Sequence, residues 1–333
     1  ITLLNDHTVC RVIELTLADK GDPGVPFSWL CFGSEGRREQ TLYTDQDNGI
    51  LFEAKDAVEA ADFRGRLLPL AQHINQSLAL CGFSLCKGNI MAGNPELCLS
   101  RVEWARRFGA FIREATPENL LGSSIYFDLR VVWGEERGCE QLRQGILDQV
   151  ADNRLFQRML AENALLRRPP VGRFRDFVLT RKGADNRLFQ RMLAENALRQ
   201  RPPVGRFREF VLTRKHGEKA TLDLKVQGLT PFVDGARLLA LANGIHANNT
   251  LERLRQLVDK AVIEPLDGAA YEEAYHFIQQ TRMQQHQLQT RENQPYSNRV
   301  DPDSLNHLDR RILRESLRQA QRLQSSLSLR YQL

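Results

Sequence analysis

Residues 27–53 read FSWLCFGSEGRREQTLYTDQDNGILFE. Two short apolar runs, one ending at Gly33 and the other following Asn48, are bounded by turn-forming residues, which is the signal of two strands. Between them Gly33 and Ser34 open a turn, and ten residues later Asp45 and Asp47 enter the second strand. Positions two apart on a strand project from the same face, so the two carboxylates stand side by side. Like charges held that close are unfavourable alone and require a cation between them. Oxygen donors suit Mg²⁺ (or Mn²⁺), which takes a few carboxylates and fills its shell with water and substrate phosphates.

The turn upstream completes the pattern. Gly33 and Gly36 permit close backbone approach, so free N–H groups and the Ser34 hydroxyl can cradle a triphosphate. Arg37 and Arg38 can add charge-assisted contacts to phosphate oxygens. The segment is neither a P-loop, lacking GK[ST], nor a dinucleotide fingerprint, lacking GxGxxG. A DxD alone is usually a solvated turn. The order strand, Gly-Ser, gap, DxD, strand is what carries the reading.

Outward from this stretch, residues 5–20, 61–82 and 103–115 have helical spacing, and SSIYFDLRVVWG (123–134) reads as a strand containing Asp128. Past residue 140 the pattern is helical. PFVDGARLLALANG stops at Gly244, and NNTLERLRQLVDKA starts from a cap at Asn249 or Thr250. GAAYEEAYHFIQQTRMQQHQLQ is long and polar. The last segment carries Leu305, Leu308, Ile312, Leu317, Ala320, Leu323 and Leu327 on one face, after caps at Asp301 and Asp303. The layout predicts an α+β domain over residues 1–140 and a helical bundle over 141–333.

A repeat interrupts the second part. Residues 151–183 recur as 184–216, differing only at Leu166/Arg199, Arg167/Gln200, Asp176/Glu209 and Gly183/His216. Two near-identical copies are too few and too alike for a stacked solenoid. After the second copy, Val211–Thr213 and Ala220–Lys225 read as a hairpin turning at Gly217, whereas the first copy has no partner strand. The second copy is therefore expected to be the one integrated in the fold.

The repeat also explains the charge. The 333 residues carry 46 Lys and Arg against 41 Asp and Glu, a net +5. Each copy contributes eight basic and three acidic residues, which leaves 30 basic and 35 acidic residues, a net −5, outside it. Nucleic-acid binding through a basic face is therefore not the expected purpose of the chain. The six cysteines form no CxxC pair and the seven histidines no HExxH, so both are expected to be incidental in a cytoplasmic protein. No apolar run reaches the length of a membrane span. Because the chain opens on Ile1, further N-terminal regulatory domains are expected to precede it.

GSEGRREQTLYTDQDNGIL resembles the signature of the polymerase-beta-type nucleotidyltransferases. Within them it is similar to the uridylyltransferase of the PII signalling protein and to the glutamine-synthetase adenylyltransferase. The nearest likeness is to a bacterial nucleotidyltransferase family, with a C-terminal substrate-binding domain, often downstream of cyclic-nucleotide-binding and CBS domains. KGNIMAGNPE (87–96), YFDLRVVWGE (126–135), TLDLKVQGL (221–229) and VDPDSLNHLDRRILRESLR share that likeness, which spans the chain except for the extra repeat copy. The resemblance implies a mixed sheet in the first domain and an all-α second one. It implies that Gly33 and Ser34 form the nucleotide-phosphate turn, Asp45 and Asp47 the first two metal ligands, and Asp128 the third carboxylate, as ligand or base. Asp223 and Lys225 are candidates to face the cleft. The implied reaction is attack of a protein or small-molecule hydroxyl on the α-phosphate of a nucleoside triphosphate, transferring UMP or AMP, with a PII-like acceptor as one partner. The competing expectation is a non-catalytic module that senses nucleotide through the same site.

Overall fold

The computed structural model describes residues 1–114, 116–171 and 221–333. The two apolar runs form β1 (Phe27–Cys31) and β2 (Asn48–Phe52), every residue of which is buried. They pair antiparallel with Trp29 opposite Ile50. β3 (Cys98–Ser100) adds to β2 in parallel and β4 (Arg130–Trp133) to β1 antiparallel, giving a mixed sheet of order β3-β2-β1-β4. A parallel neighbour requires a crossover, and its main element is α3 (Ala57–Leu80), capped where Asp56 accepts the Glu59 N–H.

The pleat divides the apolar side chains between two layers. Phe27, Trp29, Ile50 and Phe52 join residues of α1 (Thr2–Lys20) and α3 on one face. Leu30, Phe32 and Leu51 join α4 (Arg101–Arg113) and α6 (Arg137–Ala151) on the other. Cover on both faces explains why β1 and β2 are unbroken apolar runs and not alternating ones.

The expected strand from Ser123 is corrected. Residues 123–126 finish a helix, α5 (Pro117–Tyr126), because Thr116 caps its first turn and Pro117 sits at the position where a missing N–H costs nothing. The strand starts only at Arg130, so Asp128 lies in the turn between α5 and β4.

The second layer of apolar side chains continues without a break into the helices. One cluster runs from Leu30 and Phe32 through Phe127 and Phe156 to Phe232 and Leu327, so the sheet and the helical part share a core. Its centre is α8 (Thr230–Ala242), buried from Pro231 to Leu241. Around it lie α7 (Arg154–Leu165), α9 (Thr250–Asp259), α10 (Pro265–Arg291) and α11 (His307–Tyr331). Asn249 caps α9 as expected. Asn306, and not Asp301 or Asp303, caps α11, and Asp301 caps the short turn Pro302–Ser304. The buried face of α11 is Leu313, Leu317, Ala320, Leu323 and Leu327, while Leu308 is exposed. The fold is α+β.

Two expectations about the repeat change. α7 belongs to the first copy, and its Phe156, Leu160, Ala161 and Ala164 are core residues. Gln324 of α11 donates to the carbonyls of Ala164 and Arg167 just beyond it. The first copy is therefore integrated at least through Val171, while residues 172–220, with the second copy, lie outside the described residues. The strand expected to run to Lys225 ends at Asp223 instead. β5 (Leu222–Asp223) pairs with β6 (Arg299–Val300), and Val211–Thr213 lie outside the described residues. The chain then enters a π-helix, Leu224–Leu229, because the Asp223 carboxylate accepts the Val226 N–H and ends the extended run. Among the described residues no helix is long and apolar enough to cross a membrane.

Candidate active site

Asp45 and Asp47 lie just ahead of β2, in extended chain held on both sides. The Phe32 N–H donates to the Asp47 carbonyl and the Gln46 N–H to the Ser84 carbonyl. Alternation turns Gln46 and Asn48 to the opposite face, where both are buried. The Gln46 amide donates to the carbonyls of Asn75 and Phe83, and Asn75 donates to Gln46 and Asn48. This polar anchor fixes which way the two aspartates face. Their carboxylates come together with the Cys86 thiol, with one ligand atom from each within 4.8 Å of the others. Burial, then the neighbouring Asp45, pushes the Asp47 carboxyl up to about 6, so the pair is held against its own repulsion.

Gly33 sits directly against this pair. Its φ of +55° is left-handed, and a Cβ there would lie 3.4 Å from an Asp47 carboxylate oxygen. The one-turn helix that follows, α2 (Gly33–Gly36), keeps Ser34 on the cleft wall. The donor set fits a divalent cation: two adjacent carboxylates with a glycine that leaves room beside them. A thiol beside the carboxylates is a donor that suits softer ions such as Zn²⁺ better than Mg²⁺.

The other sequence candidates do different work. Gly36 is needed for packing, since a Cβ there would meet the Asp128 carbonyl oxygen at 1.8 Å, and its N–H is already bonded to the Phe32 carbonyl. The Asp128 carboxylate does not join Asp45 and Asp47. It is fully buried and receives the Arg37 Nη1 at 2.6 Å, the Arg237 Nη2 at 2.6 Å and the Arg253 Nη1 at 2.7 Å. Burial alone would raise its pKa, but Arg237, Arg253 and Arg37 hold it far below the carboxylate range. Both oxygens are occupied by guanidinium, so the third-ligand expectation is corrected: Asp128 is an ion-pair hub between the sheet and the helices. Arg130, its neighbour in sequence, pairs with Asp6 instead.

Arg37 also donates to Glu39 at 2.7 Å, so this arginine is committed to two carboxylates. Glu39 in turn accepts the Thr250 N–H that begins α9. Arg38 is exposed, with a left-handed φ of +60°. It lines a separate hollow of about 370 Å³ with Arg143 and His246, behind the turn and away from the aspartates.

The cleft that does contain Asp47 has about 170 Å³ of space, and both halves of the chain wall it. Gly33, Ser34 and Arg37 come from the sheet side; Arg167, Lys225, Arg237, Tyr275, Gln279 and Arg282 come from the helical side. Lys225 faces this cleft, whereas Asp223 is used as a cap. Sequence reasoning missed Cys86, Arg237, Arg253, Gln279 and Arg282. One signal was available for Arg237: Asp234 and Arg237, three apart in an otherwise apolar helix, must each find a partner when that helix is buried. It also missed Glu35, whose carboxyl burial pushes up to about 8 against the pull of Arg130.

Residues 1–118 match the family model described as "Putative nucleotidyltransferase DUF294". Residues 187–331 match the one described as "Putative nucleotidyltransferase substrate binding domain". The chain belongs to this nucleotidyltransferase family. No curated protein matches it. The family's first model contains Gly33, Ser34, Asp45, Asp47 and Cys86, and its second contains Lys225, Arg237 and Arg282. The second match begins at Arg187, which is the counterpart one repeat later of Arg154, the first residue of α7. The family match thus runs through the second copy, while the first copy supplies the core helix.

Proposed function

We propose that this protein is a metal-dependent transferase of nucleoside monophosphate from a nucleoside triphosphate to a hydroxyl acceptor. The observation that carries it is the Asp45–Asp47 pair, set against Gly33 at the wall of a cleft rich in arginine and lysine. Asp45 and Asp47 would hold Mg²⁺ or Mn²⁺, with the Cys86 sulfur as the adjacent donor. A divalent ion there supplies charge neutralisation to the reacting phosphate. Gly33 and Ser34 admit the phosphates, the glycine by leaving space and the serine by its hydroxyl and N–H. The acceptor hydroxyl gives its proton to solvent as its oxygen bonds to the α-phosphorus, the bond from that phosphorus to the bridging oxygen breaks, and pyrophosphate leaves with that oxygen. UMP or AMP is the group we expect to be transferred, and a PII-like regulatory protein in the cytoplasm the acceptor we expect first.

A second reading has a specific observation in its favour. The cleft's other carboxylates, Glu39 and Asp234, are bound to arginine, as is Asp128 beside it. A nucleotide sensor needs no free carboxylate as base, so a non-catalytic regulatory module is the alternative. Calorimetric titration with ATP, UTP, GTP and CTP, with and without Mg²⁺, tests both against Asp45→Asn/Asp47→Asn. Metal-dependent binding lost in the double variant supports a nucleotide site, and pyrophosphate release with an acceptor then separates enzyme from sensor. Absence of binding to all four nucleotides overturns both readings.

A further inference from the structure

The cleft holds five cations, Arg37, Arg167, Lys225, Arg237 and Arg282, and they are not equivalent. Arg37 and Arg237 are bound to Asp128, and Arg167 and Arg237 to Asp234. Those charges are already neutralised within the fold. Arg282 is 6% exposed and donates its Nε to the Asn298 amide oxygen at 2.6 Å, but among the described residues no carboxylate pairs with it. The half-buried Lys225 ammonium has no ion-pair or hydrogen-bond partner among the described residues. Lys225 and Arg282 line the same cleft as Asp47, and Asp223 and then Asp45 lie within electrostatic reach of Arg282.

The backbone that presents Lys225 is built for that placement. It lies in the π-helix Leu224–Leu229, a wide turn that is rare and persists where its surroundings over-determine it, often at functional sites. Three contacts hold it. The Asp223 carboxylate accepts the Val226 N–H, the Thr230 hydroxyl donates to the Lys225 carbonyl at 2.8 Å, and Gly228 sits where a Cβ would come within 2.9 Å of Ile278. Beside it, Gln279 donates its amide N–H to the Glu39 carbonyl, and its buried amide oxygen has no partner among the described residues. A buried acceptor left unpaired is costly, and a ligand hydroxyl would satisfy it.

Fixed cations without counter-charge, an orphaned acceptor and a carboxylate pair across the same space match a polyphosphate ester bearing hydroxyl groups. We propose that Lys225 and Arg282 form the polyphosphate clamp of the nucleotide site, with Gln279 accepting a ribose hydroxyl. This rests on the nucleotidyltransferase reading and deepens it. The helical part then does more than receive the acceptor: it binds the half of the nucleotide that departs as pyrophosphate. Cations placed where negative charge collects on a leaving group are a principal source of rate enhancement in such transfers.

The test is calorimetric titration of the full chain at fixed Mg²⁺ with ATP, UTP, GTP and CTP, the monophosphate of whichever binds, and inorganic pyrophosphate. Lys225→Ala, Lys225→Arg and Arg282→Ala are compared with wild type, with Lys55→Ala as an exposed control. Where the alanine variant melts early, Lys225→Gln, which keeps much of the stem, replaces it. Loss of one charge-assisted contact predicts about 30-fold weaker triphosphate and pyrophosphate binding in Lys225→Ala, with monophosphate binding within about threefold. Lys225→Arg recovers most of the loss. Unchanged triphosphate binding in Lys225→Ala, or equal weakening of tri- and monophosphate, overturns the clamp alone. A wild type that binds no nucleotide overturns the transferase reading and the clamp with it.

Discussion

Replacing Asp128 with Asn separates two roles that the sequence could not. The carboxylate is fully buried and is the shared counter-charge of Arg37, Arg237 and Arg253, whose side chains are 11%, 5% and 2% exposed. Asparagine keeps the shape but removes the charge, leaving three guanidinium groups in a buried site with, among the described residues, Asp234 and Glu39 as their remaining acidic partners. Breaking a buried ion pair by removing one partner costs about 3–5 kcal/mol, and a three-way hub belongs at the upper end. At about 2 °C per kcal/mol for a chain of this size, Asp128→Asn should melt about 8–10 °C below wild type. Urea unfolding at pH 7 gives the free energy directly. Adding Arg253→Gln removes one of the stranded charges, so the double variant should recover about 1–2 kcal/mol of the loss. At temperatures where Asp128→Asn is folded, its metal-dependent nucleotide binding should persist. An unchanged melting temperature together with abolished nucleotide binding would refute the hub and return Asp128 to the reacting centre.

Other outcomes follow from the same geometry. Glu35 has its pKa raised in the folded state from 4.5 to about 8, so the folded protein keeps a proton that the unfolded chain releases as pH rises through this window. Stability should therefore fall between about pH 4.5 and 8 by roughly 5 kcal/mol at most, and Glu35→Gln should flatten that slope in urea titrations across pH. Cys86→Ser should leave Mg²⁺ affinity within about threefold but weaken Cd²⁺ binding at least tenfold, because only the sulfur favours the softer ion. Equal losses for both ions would mean that the thiol is no ligand. Deleting residues 184–216 retains α7 and Arg167, whereas deleting 151–183 leaves Gln200 to follow the helix in place of Arg167. Both single-copy chains should fold, with melting temperatures within about 2 °C, since the part-exposed Arg167–Asp234 pair is a weak one. Failure of the 184–216 deletion to fold would show that the first copy is not sufficient.

What was legible in the sequence tracks how local its cause is. β1, β2, α1 and α3 follow from unbroken or periodic apolar runs with clear end signals, and the proximity of Asp45 and Asp47 follows from strand alternation alone. The misreadings at the site mostly involve long-range partners, whereas the helix read as a strand before Asp128 was missed through its local cap at Thr116. Asp128 looks like a strand-end acid until Arg237 and Arg253, more than a hundred residues away, close around it. Cys86 has no motif of its own and reaches Asp47 because the chain after α3 pairs back onto Asp45 at Ser84. Lys225 was expected on a strand, but the Asp223 cap and the packing of Gly228 against Ile278 turn that segment into a π-helix. The two repeat copies are nearly identical, so no local preference could rank them. The choice lies in how residues 154–165 pack against α8 and α11.

The anchor formed by Gln46, Asn48 and Asn75 has a thermodynamic consequence. By holding the strand from behind, it prevents Asp45 and Asp47 from swinging apart to relieve their repulsion. The folded chain therefore carries an electrostatic load that the unfolded chain sheds at once. A cation that settles between the carboxylates discharges the load in the folded state only, and so acts on the whole molecule as a stabiliser. The melting temperature becomes a meter for occupancy of the site, readable without knowing the nucleotide, the acceptor or the reaction.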